Sequence, residues 1–276
     1  MKNILEIKDL RVRFRTKGLA QALVTRDPDP FIDAVLGVDL SIKPGEIFGL
    51  VGESGSGKTT LARSIMGLVK PHAGSLRFEN EILSDHTSAS FHVIRRKTAM
   101  MFQDPVGSLS PRLTIRSIIT EPLKIHKIKG LDPKAEADRF LEMVNLPTSI
   151  ARRHPHQLSG GQARRVGIAR ALALDPRLII ADEPTAGLDV SVQGEILNLM
   201  RQLTEAQGVS FLMITHNLAV VRHTSDRMAV MYLGRFLEQG PTADVFSKMR
   251  HPYTKALLSA HSKPDLNGKT NRIELT

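Results

Sequence analysis

The sequence predicts an α/β fold built on a largely parallel sheet. Three observations lead there. Residues 46–51 (EIFGLV) and 178–182 (LIIAD) are compact apolar runs, as expected of strands buried on both faces. Strand-like runs alternate with helix-like ones along the chain. A Gly-rich loop joins the first buried strand to a helix starting near Lys58. Of the 276 residues 41% are hydrophobic, which permits a sizeable core and argues against global disorder. The length suits one large domain, or one domain with a sizeable insertion.

Taken in order, residues 4–14 alternate apolar and polar and read as a half-exposed strand. Residues 15–33 are polar, hold Gly18, Pro28 and Pro30, and read as a loop. A short strand near 35–42 leads to a Pro44-Gly45 turn, the buried strand 46–51, the Gly-rich loop and its helix. Residues 98–103 are another apolar run, and 113–146 are mostly helical with breaks near Gly130 and Pro133. A helix over 160–174, the strand 178–182, a helix over 191–206 and a strand at 209–215 follow. Strands at 227–233 and 235–239, a short helix and a polar tail complete the chain, which shows no internal repeat and no low-complexity tract.

Composition excludes several functions. There is no cysteine, hence no disulfide scaffold, no Cys-ligated metal and no Cys nucleophile. No window approaches the roughly 20 apolar residues of a membrane-spanning helix. Glu6 and Asp9 come too early for a signal peptide's apolar region. A soluble, cytoplasmic chain is expected, with any membrane role exercised through a partner. Lys plus Arg number 38 and Asp plus Glu 28, so the net charge is +10. That surplus fits nucleic acid, anionic lipid, an acidic partner or simply a solvated surface. Its densest clusters are short: Arg95-Arg96-Lys97, Arg152-Arg153 and Arg164-Arg165. Aromatics are 4% and Trp is absent, which leaves little for stacking single-stranded nucleic acid.

Gly52-Glu53-Ser54-Gly55-Ser56-Gly57-Lys58-Thr59 fits G-x-x-x-x-G-K-S/T in full, between a strand and a helix. Glycines let backbone N–H groups turn toward phosphate oxygens, and the helix N-terminus adds partial positive charge. Lys58 can reach the β- and γ-phosphates, and Thr59 can offer its hydroxyl to Mg²⁺, with Thr60 beside it. A phosphate loop needs a second, metal-positioning carboxylate. Asp182 emerges at the end of the buried run 178–182 to supply it, and Glu183 follows where it can polarise an attacking water. An Asp-Glu pair alone is usually a solvated loop; at the end of a buried strand in a chain with a phosphate loop it is not.

Leu158-Ser159-Gly160-Gly161-Gln162, at the start of a long helix, narrows this to one family. The chain resembles an ATP-binding cassette (ABC) ATPase, whose signature is LSGGQ. The resemblance covers about residues 4 to 260. It implies a RecA-like P-loop NTPase core with an antiparallel β-subdomain and an inserted α-helical subdomain. One cassette domain would occupy 1–260, with core segments 1–104 and 166–250, helical subdomain 105–165 and a tail 261–276. In the family the signature binds the γ-phosphate of ATP held by the opposite subunit, so Ser159, Gly160, Gly161 and Gln162 are implied in that contact. Gln103 resembles the Q-loop glutamine, which contacts Mg²⁺ and the attacking water. Ala186-Gly187-Leu188-Asp189 resembles the D-loop that crosses to the other subunit, with Ala-Gly in place of the commoner Ser-Ala. His216 resembles the switch histidine that contacts the γ-phosphate. ATP and Mg²⁺ are the implied substrate and cofactor.

Several stretches resemble the oligopeptide, dipeptide and nickel importer branch, and the second ATPase of its pairs: Gln103-Asp104-Pro105, Ser108 to Arg112, Glu121-Pro122-Leu123, Leu188 to Gln193, and His251-Pro252-Tyr253-Thr254. That branch implies a second ABC ATPase subunit, the same or different, two transmembrane permeases, an extracytoplasmic solute-binding protein, and a peripheral location on the cytoplasmic face of the membrane. The position aligned with the family's adenine-stacking aromatic is Ile32, with Phe31 beside it. The cysteine cluster of some relatives is absent, so no iron–sulfur cluster is expected. His154 and His156 read as flanks of Pro155 rather than metal ligands. Two rivals are the ATP-binding component of the carbon–phosphorus lyase machinery, whose partners are soluble, and a nucleic-acid ATPase, for which only the charge speaks. The cargo is not written in this chain.

Overall fold

The computed structural model describes residues 2–16, 31–83, 88–102, 104 and 107–261. Its strands are β1 (Leu5–Arg15), β2 (Phe31–Ile42), β3 (Ile47–Val51), β4 (Ala73–Phe78), β5 (Glu81–Ile82), β6 (Thr98–Met101), β7 (Leu178–Asp182), β8 (Ser210–Thr215), β9 (Arg227–Tyr232) and β10 (Arg235–Pro241). Its helices are α1 (Lys58–Ile65), α2 (Ser88–Lys97), α3 (Ile115–Ile125), α4 (Pro133–Met143), α5 (Gly160–Leu172), α6 (Val190–Gln207), α7 (Leu218–Thr224), α8 (Thr242–Ser247) and α9 (Pro252–His261). Among the described residues no helix is long and apolar enough to cross a membrane. The chain forms two compact units: Met1–Lys43 with Phe48–Phe91 and Thr215–Thr276, and Pro44–Ile47 with His92–Ile214.

The first unit contains an antiparallel sheet in the order β2-β1-β4-β5 and the run β10-β9-β3, in which β3 and β9 are parallel. The alternation read in residues 4–14 survives with one slip. Leu5 and Ile7 are buried, then Leu10 and Val12, because an extra residue bulges at Asp9, whose φ is +44°. Strand β2 begins at Phe31 rather than near 35. Pairing recruits the polar stretch, since Arg15 faces Phe31 and Phe14 faces Ile32, while Arg13 lies 3.4 Å from Asp33. The rest of the expected loop, residues 17–30, lies outside the described residues.

In the second unit β6, β7 and β8 run parallel, with Thr98 beside Leu178 and Asp182 beside Ile214. Every residue of β7 and β8 is buried, as the unbroken apolar runs imply. Full burial of each Ile or Leu contributes about 1.5–3 kcal/mol. Between β6 and β7 the chain forms α3, α4, two short 3-10 turns and α5. Pro133, read as a break, is instead the first residue of α4. Its missing N–H costs nothing there, and Asp132 caps the helix by accepting the N–H groups of Lys134 (3.0 Å) and Ala135 (3.2 Å). Those bonds hold the Asp132 carboxyl below its ordinary pKa.

Helix α5 ties the insert together. Arg165 donates to the Val144 carbonyl (3.0 Å) and to Glu195 (2.7 Å), and Arg170 donates to the Ser108 carbonyl (2.9 Å). Arg164 is 3% exposed. The cluster Arg164-Arg165 is therefore internal wiring, not part of a solvated basic face. Strands β4 and β5 and helices α2, α7 and α8 had no clear signal: the strands are short and Gly-, Ser- or Glu-containing, and α7 and α8 are too short for a helical period to repeat.

Candidate functional site

The phosphate loop belongs to the first unit. It leaves β3, every residue of which is buried, and enters α1 at Lys58. Gly57 has φ +107°, and a Cβ there would overlap the carbonyl oxygen of Ala34 on β2. A Cβ on Gly52 would overlap the carbonyl oxygen of Met231 on β9. The loop is thus pressed between two strands that leave no room for side chains at these positions. The Ser56 carbonyl accepts the Gly234 N–H (2.9 Å), and the Gly234 carbonyl accepts the Leu36 N–H (2.8 Å), so the β9–β10 turn bridges loop and β2.

Lys58 is 7% exposed. Its ammonium donates to the carbonyls of Gly52 (2.8 Å) and Glu53 (2.6 Å) and to Ser56 Oγ (3.2 Å). Gly57, the residue preceding α1, offers no side-chain cap. Glu53, Ser54 and Gly55 face solvent, and Thr59 and Thr60 are half-buried in the first helical turn. A helix start without a side-chain acceptor, beside a buried ammonium, is suited to binding phosphate oxygens.

The acidic pair belongs to the second unit. Asp182 closes β7 at 7% exposure, and Glu183 follows at 9% with φ +51°, the left-handed region. Glu183 is held through its backbone: its N–H donates to the Ile214 carbonyl (2.8 Å), and its carbonyl accepts from Arg164 (2.8 Å). Arg164 also donates to the Ala186 carbonyl. Burial lowers the Arg164 pKa, while Asp104 and Glu183 oppose that. From α6, Gln193 donates to the carbonyls of Thr185 (3.2 Å) and Leu188 (3.0 Å). Asp189 caps α6 through the Val192 N–H (2.9 Å).

The signature lies beside this segment in the same unit. Ser159 Oγ accepts the Gln162 N–H (3.2 Å) and Gln162 Oε1 accepts the Ser159 N–H (3.1 Å), a reciprocal cap at the start of α5. A Cβ on Gly161 would come within 2.7 Å of Val192, so glycine permits the approach to α6. Ser159 and Gly160 face solvent.

Of the remaining expected residues, His216 is exposed just past β8. Its neighbours are fixed: Asn217 caps α7 through Ala219 (3.0 Å) and Val220 (3.4 Å). Gln103 lies outside the described residues. The rings of His154 and His156 stack at 5.8 Å. Sequence reasoning missed two features. Arg164 read as surface charge because nothing local marks its burial. Phe14, 44% exposed, sits across from Ile32, two residues along β2 from the Ala34 that touches the loop, yet in sequence it is only one apolar step of a strand.

A phosphate loop closing a buried strand, an acidic pair closing another, and a glycine signature opening a helix define an ATP-binding cassette. The family model described as ABC transporter matches residues 35–186, and that of the oligopeptide/dipeptide transporter C-terminal region matches 237–275. The chain belongs to the ABC transporter ATP-binding family and is an ATPase of that family. It is 44% identical over 273 residues to the oligopeptide transport ATP-binding protein OppF of Salmonella typhimurium, covering 98% of this chain and 81% of that one. It is 46% identical over 249 residues to the putative oligopeptide transport ATP-binding protein YkfD of Bacillus subtilis, covering 88% and 75%. Among solved structures, the dimeric post-hydrolysis state of the ATP-binding cassette MJ0796 bound to ADP and Pi matches with TM-score 0.74 and 32% identity, over 86% of this chain and 98% of that one. CbiO1 from Clostridium perfringens matches with TM-score 0.75 and 26% identity, over 90% and 92%.

Proposed function

We propose that this chain is the ATP-hydrolysing subunit of an ABC importer that takes up peptides or a related solute, bound to permeases on the cytoplasmic face of the membrane. The observation that carries this reading is one chain holding both a nucleotide cassette and the C-terminal region of oligopeptide and dipeptide transporters. The names of OppF and YkfD, both oligopeptide transport proteins, support the same solute class. The dimeric state of the MJ0796 cassette supports a second ATPase subunit.

ATP is the substrate. The backbone of Gly52 to Gly57 and the Lys58 ammonium receive its phosphates, with Thr60 in the adjoining turn. The exposed face of Phe14 takes the adenine, since its strand partner Ile32 is two residues from the Ala34 that abuts the loop. The Thr59 hydroxyl and the buried Asp182 carboxylate are each a hard oxygen donor of the kind Mg²⁺ takes. Thr59, Asp182 and Gln103 would hold it, and when bound it neutralises charge on the phosphate oxygens. Glu183 accepts a proton from the attacking water, and His216 contacts the γ-phosphate. Ser159, Gly160, Gly161, Gln162 and Asp189 complete the site of the second subunit. ATP that touches both subunits only when they are closed favours closure, and hydrolysis releases it. An extracytoplasmic solute-binding protein would deliver the cargo to the permeases.

The test is mass spectrometry of what co-purifies with tagged Glu183→Gln chain from detergent-solubilised native membranes in the presence of ATP. Two permeases and an ATPase partner are expected. Soluble lyase subunits without permeases would replace the transport reading, and ribosomes or nucleic acid would overturn both.

A further inference from the structure

The C-terminal region reaches back to the phosphate loop through one side chain. Tyr253 on α9 is 3% exposed, and its hydroxyl accepts the Glu53 N–H at 3.2 Å across 200 residues of sequence. Glu53 is also the residue whose carbonyl accepts the Lys58 ammonium (2.6 Å) and the Ser56 N–H (3.2 Å). One face of this residue is therefore held from outside the loop, while the other holds the cation that meets phosphate.

Tyr253 is itself held at both ring and main chain. It packs on Tyr232, the last residue of β9, at 4.4 Å between centroids and 41° between planes. The Tyr253 main-chain N–H donates to His251 Nδ1 at 3.1 Å. The N–H groups of Arg250 (2.9 Å) and His251 both donate to one carboxylate oxygen of Glu238 on β10. Glu238 thus anchors the entry to α9, His251 bonds its first turn, and Tyr253 carries that position to the loop. Burial raises the Tyr253 pKa, which keeps the side chain a neutral hydroxyl over the working pH range.

We propose that Tyr253 is a positioning residue of the phosphate loop, which sets the Glu53 carbonyl and through it Lys58, so that the Glu238–His251 anchor tunes nucleotide affinity. A backbone N–H paired with a rigid phenol holds the loop ready for phosphate, where an unpaired one would let Glu53 rotate and the ammonium drift. The proposal rests on the phosphate loop holding ATP.

The experiment is calorimetric titration of the full chain with ADP, and with ATP in the Glu183→Gln background, alongside steady-state hydrolysis. Tyr253→Phe keeps the ring and removes the acceptor. It is expected to weaken both nucleotides about three- to tenfold, the weight of one hydrogen bond. KM for ATP should rise while kcat changes less than about twofold and the melting temperature holds within about 2 °C. Glu238→Ala, which does not touch the loop, should weaken binding in the same direction by less, and the two losses should combine less than additively. Wild-type affinity in Tyr253→Phe overturns the proposal. So does a lowered melting temperature and active fraction with KM unchanged, which would make Tyr253 a packing residue only. If Tyr253→Phe does not fold, wild-type affinity in Glu238→Ala overturns it. Failure of the unsubstituted chain to bind either nucleotide would remove the ATPase reading itself.

Discussion

The phosphate loop and the segment from Asp182 to Asp189 each fix a short irregular stretch of backbone after a buried strand, and they do so with different materials. The loop is shaped by what is missing: Gly52 and Gly57 let the carbonyls of Met231 and Ala34 close in, and the loop's own oxygens hold Lys58. The acidic segment is shaped by what is added. Arg164 from α5 and Gln193 from α6 bind the carbonyls of Glu183, Ala186, Thr185 and Leu188, and Asp189 caps the next helix. A stretch built from absent side chains tolerates no addition, whereas one built from reaching side chains fails by deletion. The first failure is steric and abrupt, the second graded.

The sharpest test is Gly57→Ala. A φ of +107° disfavours alanine, and its Cβ would overlap the Ala34 carbonyl. ATP binding measured by calorimetry should fall at least tenfold and the melting temperature should drop. Near-normal affinity would show that the loop can shift and that the steric description is wrong.

Glu183→Gln separates side chain from backbone within the acidic segment. The Arg164 and Ile214 bonds involve only the Glu183 main chain, so fold and ATP affinity should persist. Turnover should fall by about 10²–10⁴, the usual contribution of a general base. Hydrolysis at the normal rate would remove Glu183 from that role.

Arg164→Ala deletes one of the reaching side chains. Two carbonyls lose a charged donor, which costs about 2–4 kcal/mol in denaturant unfolding. ATP affinity of the isolated chain should change little while turnover drops. Loss of ATP affinity as large as that of Gly57→Ala would erase the distinction between the two stretches.

The smallest effect lies away from both, at His126 after α3. Burial lowers its pKa from 6.5, and His92, stacked at 5.8 Å, and Arg96 act in the same direction. The folded chain therefore takes up this proton less readily than the unfolded one. Stability contributed here is present above pH 6.5 and is lost as pH falls below it. His126→Gln should flatten the melting temperature against pH in that window. An unchanged slope would place the dependence elsewhere.

Much of the fold was legible because it rests on local rules. EIFGLV and LIIAD are buried strands wherever they meet helices, and the G-x-x-x-x-G-K-S/T spacing dictates its own turn. Pro133 reads as a break because a proline that breaks a helix interior also suits its first position, and only Asp132 one step earlier decides between them. Strand β2 reached Phe31 because β1 offered it a partner, which no window of one strand contains.

The sequence by itself determined the chemistry-bearing loops, since backbone conformation and residue type there are properties of a few consecutive residues. It also determined the family, through the order of those loops. Only the tertiary structure decided that Arg164 turns inward to carbonyls 19 and 22 residues away, that Phe14 pairs with Ile32, two residues from the Ala34 that abuts the loop, and that Tyr253 meets Glu53. Those contacts join residues with no local pattern in common, and their geometry exists only once helices and strands have packed, because side-chain reach is set by where distant backbones come to rest.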